Sequence, residues 1–477
     1  GGGGDPVPPP KNEVRFEYEM SPKVIPADGK SIAKVKVKAV NIKTGKGVPG
    51  IEVTFMKKET LLVSAPVLKA EAETETLSTL TKVGSEEAGI ITVKTKLDDW
   101  AIADLHAGTA GEKNPVKVDI DRYDVQGKAI EGYVINAKIT SIEFTSDHNL
   151  LLDNEKTWDS TGQRYPYVEW EPERKSGPQS CPISHTMGET MKLTMKLDVS
   201  PKEFPTTSYT LTGENDSYQF LSFEKKDKNG IGGGEGQFIK DVLSKQNVKK
   251  EIKSYDDQKI SWKIAFEGSD KEDVLNDSGP HNKIFVLWDR PINTNNNLPT
   301  QHRMEWACSA ANEGGIASNT VKIADNIWDK VKKSTSFYLH GKTDHWNLLN
   351  EKTNGDCDNQ SRLMAYAMQM LGIEAEVIFI HASRDSNYDD LEKDTMISTR
   401  FGEIESELLL RDQGAEWNTF QGCCKTAGYI YAIDPHLKKT SPAEILNSLK
   451  IAGWIQQWNG YVYNKKGIVI EEVPGKV

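Results

Sequence analysis

The sequence contains no apolar run approaching the roughly 18 residues a helix needs to cross a membrane. It has no CxxC pair and no HExxH helix, so the usual structural-zinc and metalloprotease signatures are missing. Cysteine is scarce. Five in 477 residues are too few for a disulfide scaffold, and the odd count leaves at least one thiol free if the others pair. Positive charge is in deficit: 59 basic against 70 acidic side chains give a net charge of −11, which argues against nucleic acid as a partner. Histidine is also sparse, nine in all, which limits the proton carriers open to any mechanism. No pattern calls for a cofactor or a metal.

The length itself is informative. A chain of 477 residues exceeds what one hydrophobic core usually supports and predicts two to four domains. Residues 1–12 open with four glycines and continue Asp5-Pro-Val-Pro-Pro-Pro10, which cannot pack and read as a flexible linker. Such a tether resembles the segment that follows the lipidated cysteine of bacterial lipoproteins. With no initiator methionine, the resemblance implies an exported protein at the cell surface or in the periplasm. A lipid anchor at its N-terminus would be its one association with the membrane.

Residues 13–143 read as an all-β sandwich. Glu13 to Tyr18, Ser31 to Val40 and Ile51 to Phe55 alternate apolar and polar side chains, with turn signals at Lys43-Thr-Gly45 and Gly50. Gly89 to Thr95 and Tyr133 to Ile139 supply later strands. Pro26 to Ala33 and Lys46 to Phe55 resemble the bacterial immunoglobulin-like repeats of invasin and intimin, which act as stalks. The acids Asp119, Asp121 and Asp124 beside a turn read as solvated and not as a calcium site. Residues 144–296 read as a second β-rich domain, with Met191 to Val199, Ile260 to Phe266 and Lys283 to Trp288 as strands. Gly230 to Gly236 lacks both the GxGxxG and the GxxxxGK[ST] spacing, so it reads as a flexible loop and not as a phosphate cradle. Cys181 falls in a loop.

The period changes after 297. Arg303, Trp306, Ala307, Ala310 and Ala311 predict one helix, with Cys308 in its core, and Val321, Ala324, Ile327, Trp328 and Val331 predict another. A third runs from Cys357 through Leu363, Tyr366, Ala367 and Met370, with Asp356 as N-cap and Gly372 as its stop. Val377 to Ile380 then read as a buried strand. A thiol at a helix N-terminus meets the positive end of the macrodipole, which favours the thiolate. That pattern fits a nucleophile, and it fits a buried structural cysteine equally well.

Gly355-x-Cys357, Leu363 and Leu371-Gly-Ile-Glu-Ala375 resemble the nucleophile helix of the transglutaminase-like superfamily, and Tyr429 to Pro435 resembles the strand carrying its acidic residue. The resemblance covers residues 297–477 and implies a papain-like α+β domain that uses cysteine, histidine and aspartate in that order. Cys357 and Asp434 match the first and third. At the histidine position stands Thr419 or, in the other register, Ala415, and neither can take a proton at neutral pH. His381 is the one histidine between Cys357 and Asp434, while His345 and His436 break the chain order. Losing a member of such a unit typically costs several orders of magnitude in rate. Two functions follow. One is a catalytically impaired binding or structural module for a protein, peptide or glycan-peptide. The other is a peptidase or acyl transferase with Cys357 as nucleophile, His381 as base and Asp434 as orienter. Cys423 and Cys424 fall in a strand, where adjacent side chains face opposite ways unless they form a strained vicinal disulfide. Trp454, Trp458, Tyr461 and Tyr463 read as core caps or as a groove lining, and Ser441 opens a last helix.

Overall fold

The computed structural model describes residues 9–58, 74–96, 100–147, 151–153, 158, 160–165, 168–215, 221–275, 281–294, 297–337, 345–350, 354–355, 357–382, 420–431, 439, 457–458, 461–462 and 468–472. Among these it is rich in strands and has three α-helices.

The first unit is a two-sheet sandwich. One sheet runs Val14–Ser21, Ile32–Asn41, Ala101–His106, Thr79–Lys82; the other runs Val125–Ile130, Val116–Ile120, Glu52–Lys57, Ile91–Lys94. Alternation decides which face is inside: Ala33, Val35, Val37 and Ala39 are buried. The lysines between them point out, and Lys36 reaches Glu19 across the strand pair at 2.9 Å. Asp119 accepts the Gly127 N–H at 2.6 Å and Asp124 pairs with Lys11.

The second unit is an eleven-stranded sheet. Its main path runs Ile183–Thr186, His281–Leu287, Lys253–Phe266, Thr207–Asn215, Ser222–Ile231, Gly234–Asn247, Thr190–Ser200, Tyr133–Glu143, Val24–Pro26. The sheet closes over one core. The Tyr133 ring lies 5.3 Å from Phe204, which lies 5.1 Å from Phe266 near the other end of the path. The glycine-rich stretch is not the flexible loop its composition suggests but an ordered hairpin turn between two paired strands. A Cβ on Gly230 (φ +71°) would sit 2.2 Å from the Thr207 carbonyl oxygen, and one on Gly233 would sit 2.0 Å from that of Pro201. The glycines are there so that the hairpin can lie against the 201–207 segment.

Two strands each serve two cores. Tyr133–Glu143, expected in the first sandwich, is hydrogen-bonded into the middle sheet, with Ile139 opposite Leu197. Tyr133 and Ile135 enter the middle core while Val134 enters the first. His281–Leu287 repeats the arrangement, with Ile284 and Val286 in the middle core and Phe285 and Leu287 in the C-terminal one.

The C-terminal core joins three helices to a four-stranded antiparallel sheet. The helices are α1 (Gln301–Ala311), α2 (Thr320–Ser334) and α3 (Cys357–Met370). Thr300 and Asn319 cap α1 and α2 by accepting the N–H of Arg303 and Lys322. The sheet order is Tyr429–Tyr431, Phe420–Thr426, Ala375–Ala382, Ile468–Glu472.

A buried carboxyl pair sits at the edge of the middle sheet. Glu169 accepts the Phe144 N–H at 2.6 Å, and Asp147 accepts the Ser184 N–H at 2.6 Å. Burial first, and the neighbouring Asp147 second, push the Glu169 carboxyl from 4.5 up to about 9.

Truncating Phe285→Ala should cost about 3–5 kcal/mol, and calorimetry should show the middle and C-terminal transitions both shifting, because the strand that carries it completes both cores. Between pH 4.5 and 9 native Glu169 holds a proton that the unfolded chain has released. Its contribution is therefore complete below about pH 4.5 and is lost as pH rises towards 9. Glu169→Gln, which keeps an acceptor for Phe144, should lose less Tm than the parent between pH 5 and 9.

Candidate functional site

Cys357 is the first residue of α3 and is 1% exposed. Its Sγ accepts the Gly422 N–H at 3.3 Å, while the Gly422 carbonyl accepts the Ser361 hydroxyl at 3.1 Å. One residue of the Phe420–Thr426 strand thus holds the first turn of α3 by both its backbone groups. Only glycine fits there: a Cβ would lie 2.9 Å from the Asp358 backbone and 3.1 Å from the Cys357 carbonyl carbon. Gly355 is constrained in the same way, since its Cβ would lie 2.6 Å from Leu348. In the same turn Asp358 pairs with Arg362 at 2.8 Å, and Gln360 donates to Thr335 at the end of α2 at 2.7 Å.

The far end of α3 is fixed as firmly. Gly372 (φ +78°) donates to the Gln369 carbonyl and Ile373 to that of Met368, both at 3.0 Å, which is a Schellman cap. Asp289 and Ile292, on the chain leaving the middle sheet, donate to the carbonyls of Leu371 and Gln369. Asn297 bridges the Trp346 indole to Gln369. Trp346 in turn stacks on Trp158 with ring centroids 5.7 Å apart.

Of the predicted triad, Cys357 is placed in full. His381 is placed by its backbone, opposite Phe420 and two residues along the ladder from the Phe379–Gly422 pair. Asp434 lies outside the described residues, as do Ala415, Thr419, His436, the N-cap at Asp356, the helix at Ser441, Trp454 and Tyr463. Trp458 and Tyr461 pair in a short hairpin. His345 packs its ring 5.1 Å from Tyr366, nine residues on from Cys357. At 1.5 Å per residue the Tyr366 backbone is about 13.5 Å further along the helix axis than that of Cys357.

No disulfide joins any of the five cysteines, and all are buried. Cys424 enters the helical core. Burial, with Cys357 and Cys424 nearby, pushes the Cys423 thiol well up, and burial pushes Cys308 and Cys424 up too. Burial likewise raises Cys181, whose sulfur accepts from Arg174 at 3.2 Å. These four suit packing and not chemistry. Gly422 and Ser361 were not singled out in the sequence. The available signal was a glycine inside a predicted strand, which marks a close backbone approach.

No family profile matches this chain, and no curated protein matches it. Among solved structures, invasin, a bacterial integrin-binding protein, is 12% identical over 58% of this chain and 40% of its own, with a TM-score of 0.19. The transglutaminase of red sea bream is 9% identical over 54% and 47%, with a TM-score of 0.23. The adhesin InvE of Yersinia pseudotuberculosis is 15% identical over 58% and 59%, with a TM-score of 0.15. The chain spans two-fifths to three-fifths of the length of these three structures. At those scores the likenesses carry no functional argument, and the site's own geometry has to.

Gly422→Ala should force the strand and the start of α3 apart, costing about 1–3 kcal/mol as overpacking does. Urea unfolding would measure the loss. A variant as stable as the parent would mean that the contact is looser than its 3.3 Å bond implies.

Proposed function

We propose that this is an exported bacterial surface protein in which an immunoglobulin-like stalk and a middle sheet carry a transglutaminase-like module. In this reading the module binds a protein, peptide or glycan-peptide and is impaired in catalysis. The observation that carries the reading is the closure of the thiol. A nucleophile must bring its sulfur to about 3–3.5 Å from a carbonyl carbon. Cys357 is 1% exposed and its sulfur is already engaged by the Gly422 N–H. The papain-like assignment rests on the cysteine opening a helix packed on an antiparallel sheet. Export rests on the resemblance of the Gly/Pro-rich residues 1–12 to a lipoprotein tether.

The second reading is a thiol enzyme acting on amide bonds through Cys357, His381 and Asp434. Two observations favour it. An N–H aimed at the sulfur suits a thiolate. The His381 backbone lies two residues, about 7 Å, along the ladder from the pair that meets Cys357.

The pH profile of alkylation at Cys357, mapped by peptide and repeated in His381→Ala, separates the two. The binding reading expects slow reaction in the native chain at every pH, unchanged by the variant. Rapid reaction persisting well below the ordinary thiol pKa of about 8.5, and lost in His381→Ala, would replace it with the enzyme.

A further inference from the structure

We infer that a cleft at the opposite end of α3 from Cys357 binds a basic peptide segment. The inference rests on the binding reading above and gives its ligand a chemistry. The cleft is an open depression with a volume of about 660 Å³, within the range typical of ligand sites. Its walls come from three pieces of backbone whose course is fixed. The first is the Schellman turn after α3, where a Cβ on Gly372 would lie 2.3 Å from Asp289. The second is the start of the Ala375–Ala382 strand. The third is the hairpin turn at Ala427 (φ +51°) and Gly428 (φ +81°). Positive φ at both residues is what a two-residue hairpin turn between paired strands requires.

The side chains around the cleft choose the ligand's charge. Glu374, Glu376 and Lys425 line it together with the half-buried indole of Trp288. Lys425 is held by Glu376 at 3.0 Å, whereas among the described residues no ion pair engages the exposed Glu374. Two carboxylates against one ammonium leave the cleft acidic beside an indole, the aromatic surface that attracts cations best. With Glu376 already paired to Lys425, an anion would be repelled by Glu374 and an apolar ligand would leave that carboxylate without a counter-charge. The whole chain carries a charge of −11 and steers cations inward from a distance. A single amine would fill a small part of the volume, so the fitting ligand is an extended run of residues bearing lysine or arginine.

The test titrates the full chain with a capped hexapeptide alternating lysine and alanine, followed by calorimetry at about 0.15 M salt, where diffuse charge attraction is screened beyond about 8 Å. Saturable one-site binding is expected. Glu374→Gln and Trp288→Leu should each weaken it about tenfold, equivalent to about 1.4 kcal/mol. The remote pair Glu86→Gln and Glu87→Gln on the first sandwich should leave it unchanged. Circular-dichroism melts confirm that each variant is folded. Equal weakening by the remote pair would reduce the effect to diffuse charge and overturn the site. Binding indifferent to Glu374 and Trp288 would overturn this cleft while leaving a binding module elsewhere on the chain. No binding of the hexapeptide would also overturn it, and alkylation at Cys357 would still decide the module reading on its own terms.

Discussion

Successive side chains of a strand point to opposite faces, so a strand that is apolar on both can complete two cores at once. His281–Leu287 does this, with Ile284, Phe285, Val286 and Leu287 all between 0 and 1% exposed. The one buried polar side chain near its start, Asn282, is accommodated because its amide donates to the carbonyls of Glu169 and Cys181. Around this strand the C-terminal helices are tied on by polar contacts. Asn312 donates to the Ile252 carbonyl at 2.6 Å, and Lys283 pairs with Glu305 at 2.9 Å. The helix bearing Cys357 inherits its position from this joint, since the residues just beyond the strand supply donors to its last carbonyls.

At its other end the same helix is set by Gly422. A bare backbone lets strand and helix approach closely enough for an N–H to meet sulfur and a hydroxyl to meet a carbonyl. The chemistry open to Cys357 is therefore governed by packing. The contact that presents a donor to the sulfur also closes the space a substrate would need. Burial has the opposite use at Glu169, where desolvation beside Asp147 keeps a carboxyl protonated and lets it sit inside the molecule without a cation.

Much of this was legible in the sequence where the pattern is local. The alternation of Ile32–Asn41 and Thr190–Ser200 and the stop at Gly372 depend on neighbours a few residues away. The partner of each face did not show. Alternation in Tyr133–Glu143 says that one side is buried, yet it is silent about which core receives it, so the strand was assigned to the first sandwich although it pairs in the middle sheet. Glycine composition around Gly230 suggested looseness because the 201–207 backbone that these residues approach is remote in sequence. Glu169 gave no sign, since its burial is made by segments up to about a hundred residues away, such as Asn282. The site was legible as a cysteine at a helix start. Its second half, Gly422, lies 65 residues on and could be seen only as a glycine out of place in a strand.

The doubly committed strands have a mechanical consequence. Domains joined by a free linker bend wherever the linker's torsions rotate, and under tension they give way one after another. Here both seams run inside hydrogen-bonded sheets, along Tyr133–Glu143 and His281–Leu287. Flexing either seam means shearing a ladder and prising side chains out of two interiors together, so load crosses from one unit to the next through paired backbone and not through a hinge. Units joined this way keep a set distance and angle, as the segments of a beam do and those of a tether do not.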